Sequence, residues 1–130
     1  MLQWRQDNGT IAPLIAGYLA LLVMVVLLSA NVVAAMAFSH RVQGIADAAV
    51  VYGHDRSLIA GTPQIGALRS QINSFLDTAP SAKRLEILVV NVRVRGPRSE
   101  LELCAELKYP LTLGSGVVCR SSTAQSFLLP

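Results

Sequence analysis

The residues able to do chemistry in this chain are few. Cys104 and Cys119 are its two cysteines, fifteen positions apart. Two chemistries are open to them: a disulfide between neighbouring strands, or two unrelated thiols. An even count and a place for Cys104 on a polar strand face favour the bridge if the compartment is oxidising. Closing such a loop is worth about 3 kcal/mol in the chain-entropy view. Glu100, Glu102 and Glu106 alternate with apolar residues, which is what a solvated strand face produces without any acid–base role. His54 and Asp55 adjoin in what reads as a loop, a surface feature rather than a dyad. Two His and two Cys at these spacings make no metal set. There is no phosphate loop, nucleophile elbow, zinc-protease helix or dinucleotide fingerprint, and no basic–aromatic interleaving for nucleic acid. The expectation is a non-enzymatic protein with no cofactor, no metal and no nucleic-acid partner.

The elements that hold these residues follow from where the charges sit. The chain has 130 residues, 52 % apolar and 15 % charged, with a net charge of +3. Residues 8 to 40 carry no Lys, Arg, Asp or Glu. Within that gap Ile11 to Phe38 is almost wholly apolar, and its 28 residues would reach roughly 42 Å as a helix. A transmembrane helix needs about 20 such residues, whereas the apolar region of a signal peptide runs only ~7–15. Ala35 and Ala37 form the small-x-small pattern of a cleavage site, but length and a single preceding basic side chain favour a retained anchor in a lipid bilayer. Ser29 and Asn31 sit among Ala30, Ala34 and Ala35, so Ser29, Asn31, Ala34 and Ala35 are the candidate contact with a neighbouring helix. Asn31 reaching the interface is the alternative. After His40 and Arg41, the residues Val42, Ile45, Ala46, Ala49 and Val50 recur at helical spacing. Gly53 is the first stop signal.

The chain thus divides into a tip (1–10), a transmembrane and amphipathic helix (11–53) and a small head (54–130). In the head, Thr62 as N-cap and Pro63 as first helical residue open a helix whose face is Ile65, Leu68, Ile72, Phe75 and Leu76. Thr78 to Lys83 is a turn. Leu88, Val90, Val92 and Val94 then alternate with Asn91, Arg93 and Arg95. After the turn Gly96-Pro97-Arg98, Leu101, Leu103, Ala105, Leu107 and Tyr109 alternate likewise. These make a hairpin with one apolar face, with Arg93 and Arg95 able to face Glu100 and Glu102. Val117 to Ala124 is a third strand. The expected fold class is α+β: a long N-terminal helix, one further helix and a two- to three-stranded antiparallel sheet. Charge near the anchor is almost balanced between its two sides, so the cysteines tip the head toward the extracytoplasmic face.

Asp7-x-Gly9-Thr10 before the apolar helix, and Arg41, Gln43, Ala46, Asp47, Ala48 and Ala49 after it, resemble the TadE/TadG-like minor pilins of tight-adherence (Flp-type) pilus systems, especially the short actinobacterial ones. The resemblance covers roughly residues 5 to 52. It implies a non-catalytic pilin-like subunit or assembly factor, with the head outside and with other pilin-like subunits or pilus assembly-platform proteins as partners in a hetero-oligomer. It also implies a prepilin cut between Gly9 and Thr10. Leu14 stands where the related pilins carry Glu five residues after the cut, which leaves both a processed and an uncut anchor open. A single-pass accessory or regulatory subunit of another envelope complex, with the head as a binding module, is the competing class.

Overall fold

The computed structural model describes residues 11–111 and 114–127. It is α+β, a long apolar N-terminal helix followed by a small head of helix and antiparallel sheets. One helix, α1 (Ile11–Ser57), runs without interruption for 47 residues. Two short strands, β1 (Leu58–Ile59) and β2 (Thr62–Pro63), follow as a hairpin. Then come α2 (Ile65–Thr78), the single-turn α3 (Pro80–Lys83) and three strands, β3 (Glu86–Arg95), β4 (Arg98–Lys108) and β5 (Ser115–Gln125). The three strands form an antiparallel sheet in the order β3-β4-β5.

The end of α1 differs from expectation, and Gly53 is the reason. A glycine ends a helix when it takes the left-handed conformation, and Gly53 does not; Gly61 and Gly96 do. Gly53 instead lets α2 approach: a Cβ there would stand 2.6 Å from Ile72 Cγ1 and 3.1 Å from Leu68 Cδ1. Gly53→Val is expected to cost about 1–3 kcal/mol by overpacking, well above the few tenths that helix propensity returns. Chemical denaturation of the full chain in detergent measures it; unchanged stability would show that α2 is not seated on Gly53.

The helix stops four residues later, at a tight hairpin. Ala60 (φ 51°) and Gly61 (φ 80°) are the two loop residues, both left-handed as a type I′ turn requires. Thr62 is therefore not an N-cap and Pro63 not a first helical residue. Thr62 Oγ1 donates to the Ile59 carbonyl at 3.0 Å, Pro63 pairs with Leu58, and α2 opens at Ile65 behind Gln64 with no side-chain cap. The hairpin took the residues that local capping rules would have given to the helix.

The core is the amphipathic half of α1 packed under the sheet and beside α2. Val42, Ala46, Ala49 and Val50 of α1, Leu68 and Ile72 of α2, and Leu101, Leu103 and Ala105 of β4 are fully buried. A third departure lies in β3. Its register slips at a bulge between Ile87 and Val89, so Ile87 takes the inward position opposite Ala105, and Leu88 is exposed rather than part of the apolar face. The extra residue reverses the alternation for one step, after which Val90, Val92 and Val94 pair with Leu103, Leu101 and Ser99. The segment Thr78 to Lys83, expected as a turn, contains the short helix α3, started by Pro80 in the first turn.

Candidate functional site

Among the described residues α1 is the one helix long and apolar enough to cross a membrane; its most apolar window has mean hydropathy 2.7 and none of it is buried. Leu14, Met24 and Val26 are each more than 60 % exposed. That contiguous apolar surface is left uncovered by the head.

The four candidate helix-contact residues fall into two groups. Ser29 Oγ donates to the Val25 carbonyl at 2.7 Å, which satisfies it within its own helix. Asn31, Ala34 and Ala35 are half-buried by this chain itself, and Asn31 Oδ1 is buried with no partner among the described residues. Ala35 lines a groove with Met36, Ser39, Val118 and Arg120, so the first half of β5 lies beside α1 here. Gly9 and Thr10, the candidate cleavage pair, lie outside the described residues.

The head grips α1 just beyond the apolar stretch. Arg120 points inward from edge strand β5, and its Nε donates to Ser39 Oγ at 2.8 Å. One turn on, Gln43 Nε2 donates to Asp47 Oδ1 at 2.8 Å and reaches the Ser121 carbonyl at 3.3 Å. On the other side of the helix a groove of about 740 Å³ is lined by Phe38, Arg41, Ile45, Arg84, Leu107 and Lys108, among others. Residue-by-residue reading missed Arg120. Its signal was a charge at the inward parity of the third strand, interpretable only once the strand pairing is known.

The outer face of the sheet carries the cysteines. Cys104 and Cys119 are direct cross-strand partners between β4 and β5, with Cα atoms 4.0 Å apart, and are joined by a disulfide. Cys104 shares its face with Glu100, Glu102 and Glu106, as the alternation predicts, yet is only 6 % exposed because Cys119 covers it. Arg93 does stand opposite Glu100, but Glu102 faces Asn91 instead of an arginine. Arg95 reaches Glu100 diagonally at 3.7 Å, and Lys108 meets Glu86 at 3.2 Å. These pairs are exposed and worth about 0–1 kcal/mol each, so they tune register without holding the head together.

His54 lies in the last turn of α1, not in a loop, and is buried while Asp55 is exposed, so the two point apart. Its Nδ1 is 2.8 Å from Ser99 Oγ, either atom donating according to the imidazole tautomer, and its Nε2 is buried without a partner among the described residues. A nucleophile needs access to substrate, and Ser99 is 0 % exposed. The pair instead locks the end of α1 to the start of β4. Ser99→Ala, which strands a second imidazole nitrogen in the core, is expected to cost about 1–3 kcal/mol. Thermal unfolding checks it, and an unshifted midpoint would show that the bond contributes nothing net.

The described residues thus present an uncovered apolar helix continuous with the spine of a disulfide-bridged head. Comparison of the chain with protein-family models, with curated proteins and with solved structures finds no match.

Proposed function

We propose that this protein is a non-catalytic, membrane-anchored pilin-like subunit or assembly factor of a tight-adherence pilus or related secretion system. The observation that carries the reading is the continuity of α1 over 47 residues. Its first part offers apolar side chains all round, and its last part is the spine on which an antiparallel sheet packs. A helix of this kind can sit in the bilayer and later pack against identical or related helices in a filament, since both environments reward the same apolar surface. The disulfide supports an extracytoplasmic head, because such bridges persist in oxidising compartments. The motif around Gly9 and that from Arg41 to Ala49 supply the pilus-specific part.

Mass spectrometry of the mature protein tests the reading. A chain beginning at Thr10, recovered with pilin-like partners after mild crosslinking in membranes, is the expected result for a filament subunit. A full-length chain that still crosslinks to an assembly platform protein identifies the assembly factor. A full-length chain crosslinked to neither would overturn the pilus assignment and leave a single-pass accessory subunit. Leu14, which replaces the registering Glu of related pilins, favours the assembly role over a place within the filament.

A further inference from the structure

From the position of its charges we infer that the head rests directly on the bilayer, with a basic rim around α1 that binds anionic phospholipid headgroups. The inference rests on the reading of α1 as a membrane anchor. The apolar stretch Ile11 to Phe38 exceeds the ~20 residues that a bilayer core requires, so its last turns lie at headgroup depth. The head begins at that same depth: Arg120 is bonded to Ser39, and Val118 lines a groove with Ala35 and Met36. There is no stalk between membrane and head.

The charges at this level are predominantly positive. Arg41, Arg84 and Lys108 line the larger groove on one side of α1, and Arg120 lines the smaller one on the other. The carboxylates there are Glu86 and Glu106, and Glu86 is taken up by Lys108 at 3.2 Å. Arg41, Arg84 and Arg120 form no ion pair among the described residues. The larger groove has Phe38, Ile45 and Leu107 among its walls, and Arg41 and Arg84 line it with them. Apolar walls with unpaired cations suit a phospholipid, which offers a phosphate to the arginines and a glycerol–acyl junction to the apolar wall. A soluble anion would use only the first of these. Each interfacial Lys or Arg strengthens binding to an anionic surface roughly fivefold.

The test reconstitutes the full chain into phosphatidylcholine vesicles containing spin-labelled phosphatidylglycerol or spin-labelled phosphatidylcholine, and measures the fraction of each lipid immobilised at the protein. The wild-type chain is expected to favour phosphatidylglycerol about fivefold or more, and the triple variant Arg41→Gln, Arg84→Gln, Arg120→Gln to lose most of that preference. A second triple variant, Arg93→Gln, Arg95→Gln, Arg98→Gln, removes as many charges from the far part of the sheet and should keep it, which separates a local site from net charge and from unfolding. A preference near one in the wild type, or one untouched by the first triple variant, overturns the inference. So does competition by inorganic phosphate beyond that of chloride at equal ionic strength, since it would show a site for a free anion. Carbonate extraction of the same vesicles separates the two levels. A chain that resists extraction but shows no lipid preference sinks the rim alone, whereas an extracted chain sinks the anchor with it.

Discussion

Replacing Leu103 by Ala is expected to destabilise the head by about 2–5 kcal/mol, the range for removing a large apolar side chain from a closed core. Leu103 is fully buried at the middle of β4, the central strand, opposite Val90 of β3 and Arg120 of β5. The shortened side chain would leave a void bounded by elements from both layers. Those elements cannot close onto it, because the sheet register and the bonds from Arg120 and Gln43 to α1 and β5 hold them apart. Small domains have only ~5–15 kcal/mol in hand, so this one change removes a large share of the total. The check is urea unfolding of the full chain in detergent, with an unchanged slope and a lower midpoint. A loss below 1 kcal/mol would mean that the core relaxes and that the two layers are less tightly coupled than their burial indicates. The outer-face ion pairs, by contrast, stay under about 1 kcal/mol each, so replacing Glu100 should be nearly silent in the same assay.

Loss of the disulfide is expected to cost about 3 kcal/mol, from the loop entropy released when a fifteen-residue separation is no longer closed. The bridge joins β4 to β5, and β5 is an edge strand whose other long side has no sheet partner among the described residues. Its ladder with β4 runs from the Arg98–Gln125 pair to the Lys108–Ser115 pair and survives reduction. The damage should therefore concentrate in β5, including the Arg120 contact with Ser39, rather than dissolve the α1–α2 packing. Two measurements check this. The double variant Cys104→Ser, Cys119→Ser and the reduced wild-type chain should show the same lowered midpoint, and hydrogen exchange should rise first in Ser115–Gln125. If exchange rises uniformly, β5 is not a separately released element; if the midpoint does not move, the bridge does not stabilise this head.

Much of the fold is legible in the residues, and the exceptions have specific causes. The apolar stretch from Ile11 to Phe38 admits one structure in lipid, since only a helix or a closed barrel satisfies its own backbone there. The alternation Leu101, Leu103, Ala105, Leu107 marks a strand because period two and period 3.6 place these residues on quite different surfaces. Three local signals were overridden. Gly53 read as a helix stop, but a glycine also permits close packing, and only the position of α2 decides which use is made of it. Thr62-Pro63 read as a helix start, but the Ala60-Gly61 turn committed both residues to a hairpin. Leu88 read as core, and the bulge gave its place to Ile87.

The same division holds for the site. The candidate cysteine pair was visible from parity and spacing, whereas the buried His54–Ser99 bond joins residues 45 positions apart and leaves no local trace. The Arg120–Ser39 contact spans 81 positions and is equally silent in the residues alone.

What the sequence by itself determined is therefore whatever a short window can settle: the charge gap, the apolar stretch, the amphipathic turn of α1 after Arg41 and the period of the strands. These depend on the transfer free energy and periodicity of neighbouring side chains, which are properties of the chain before it folds. What only the tertiary structure decided is where independent windows meet. That includes α2 on Gly53, β5 on Ser39 at the foot of the head, and the gathering of Arg41, Arg84, Lys108 and Arg120 around one level of α1. Those residues are distant in sequence, and no local preference favours their meeting. The burial of a shared core draws them together, and the strand register then fixes which side chains face the helix.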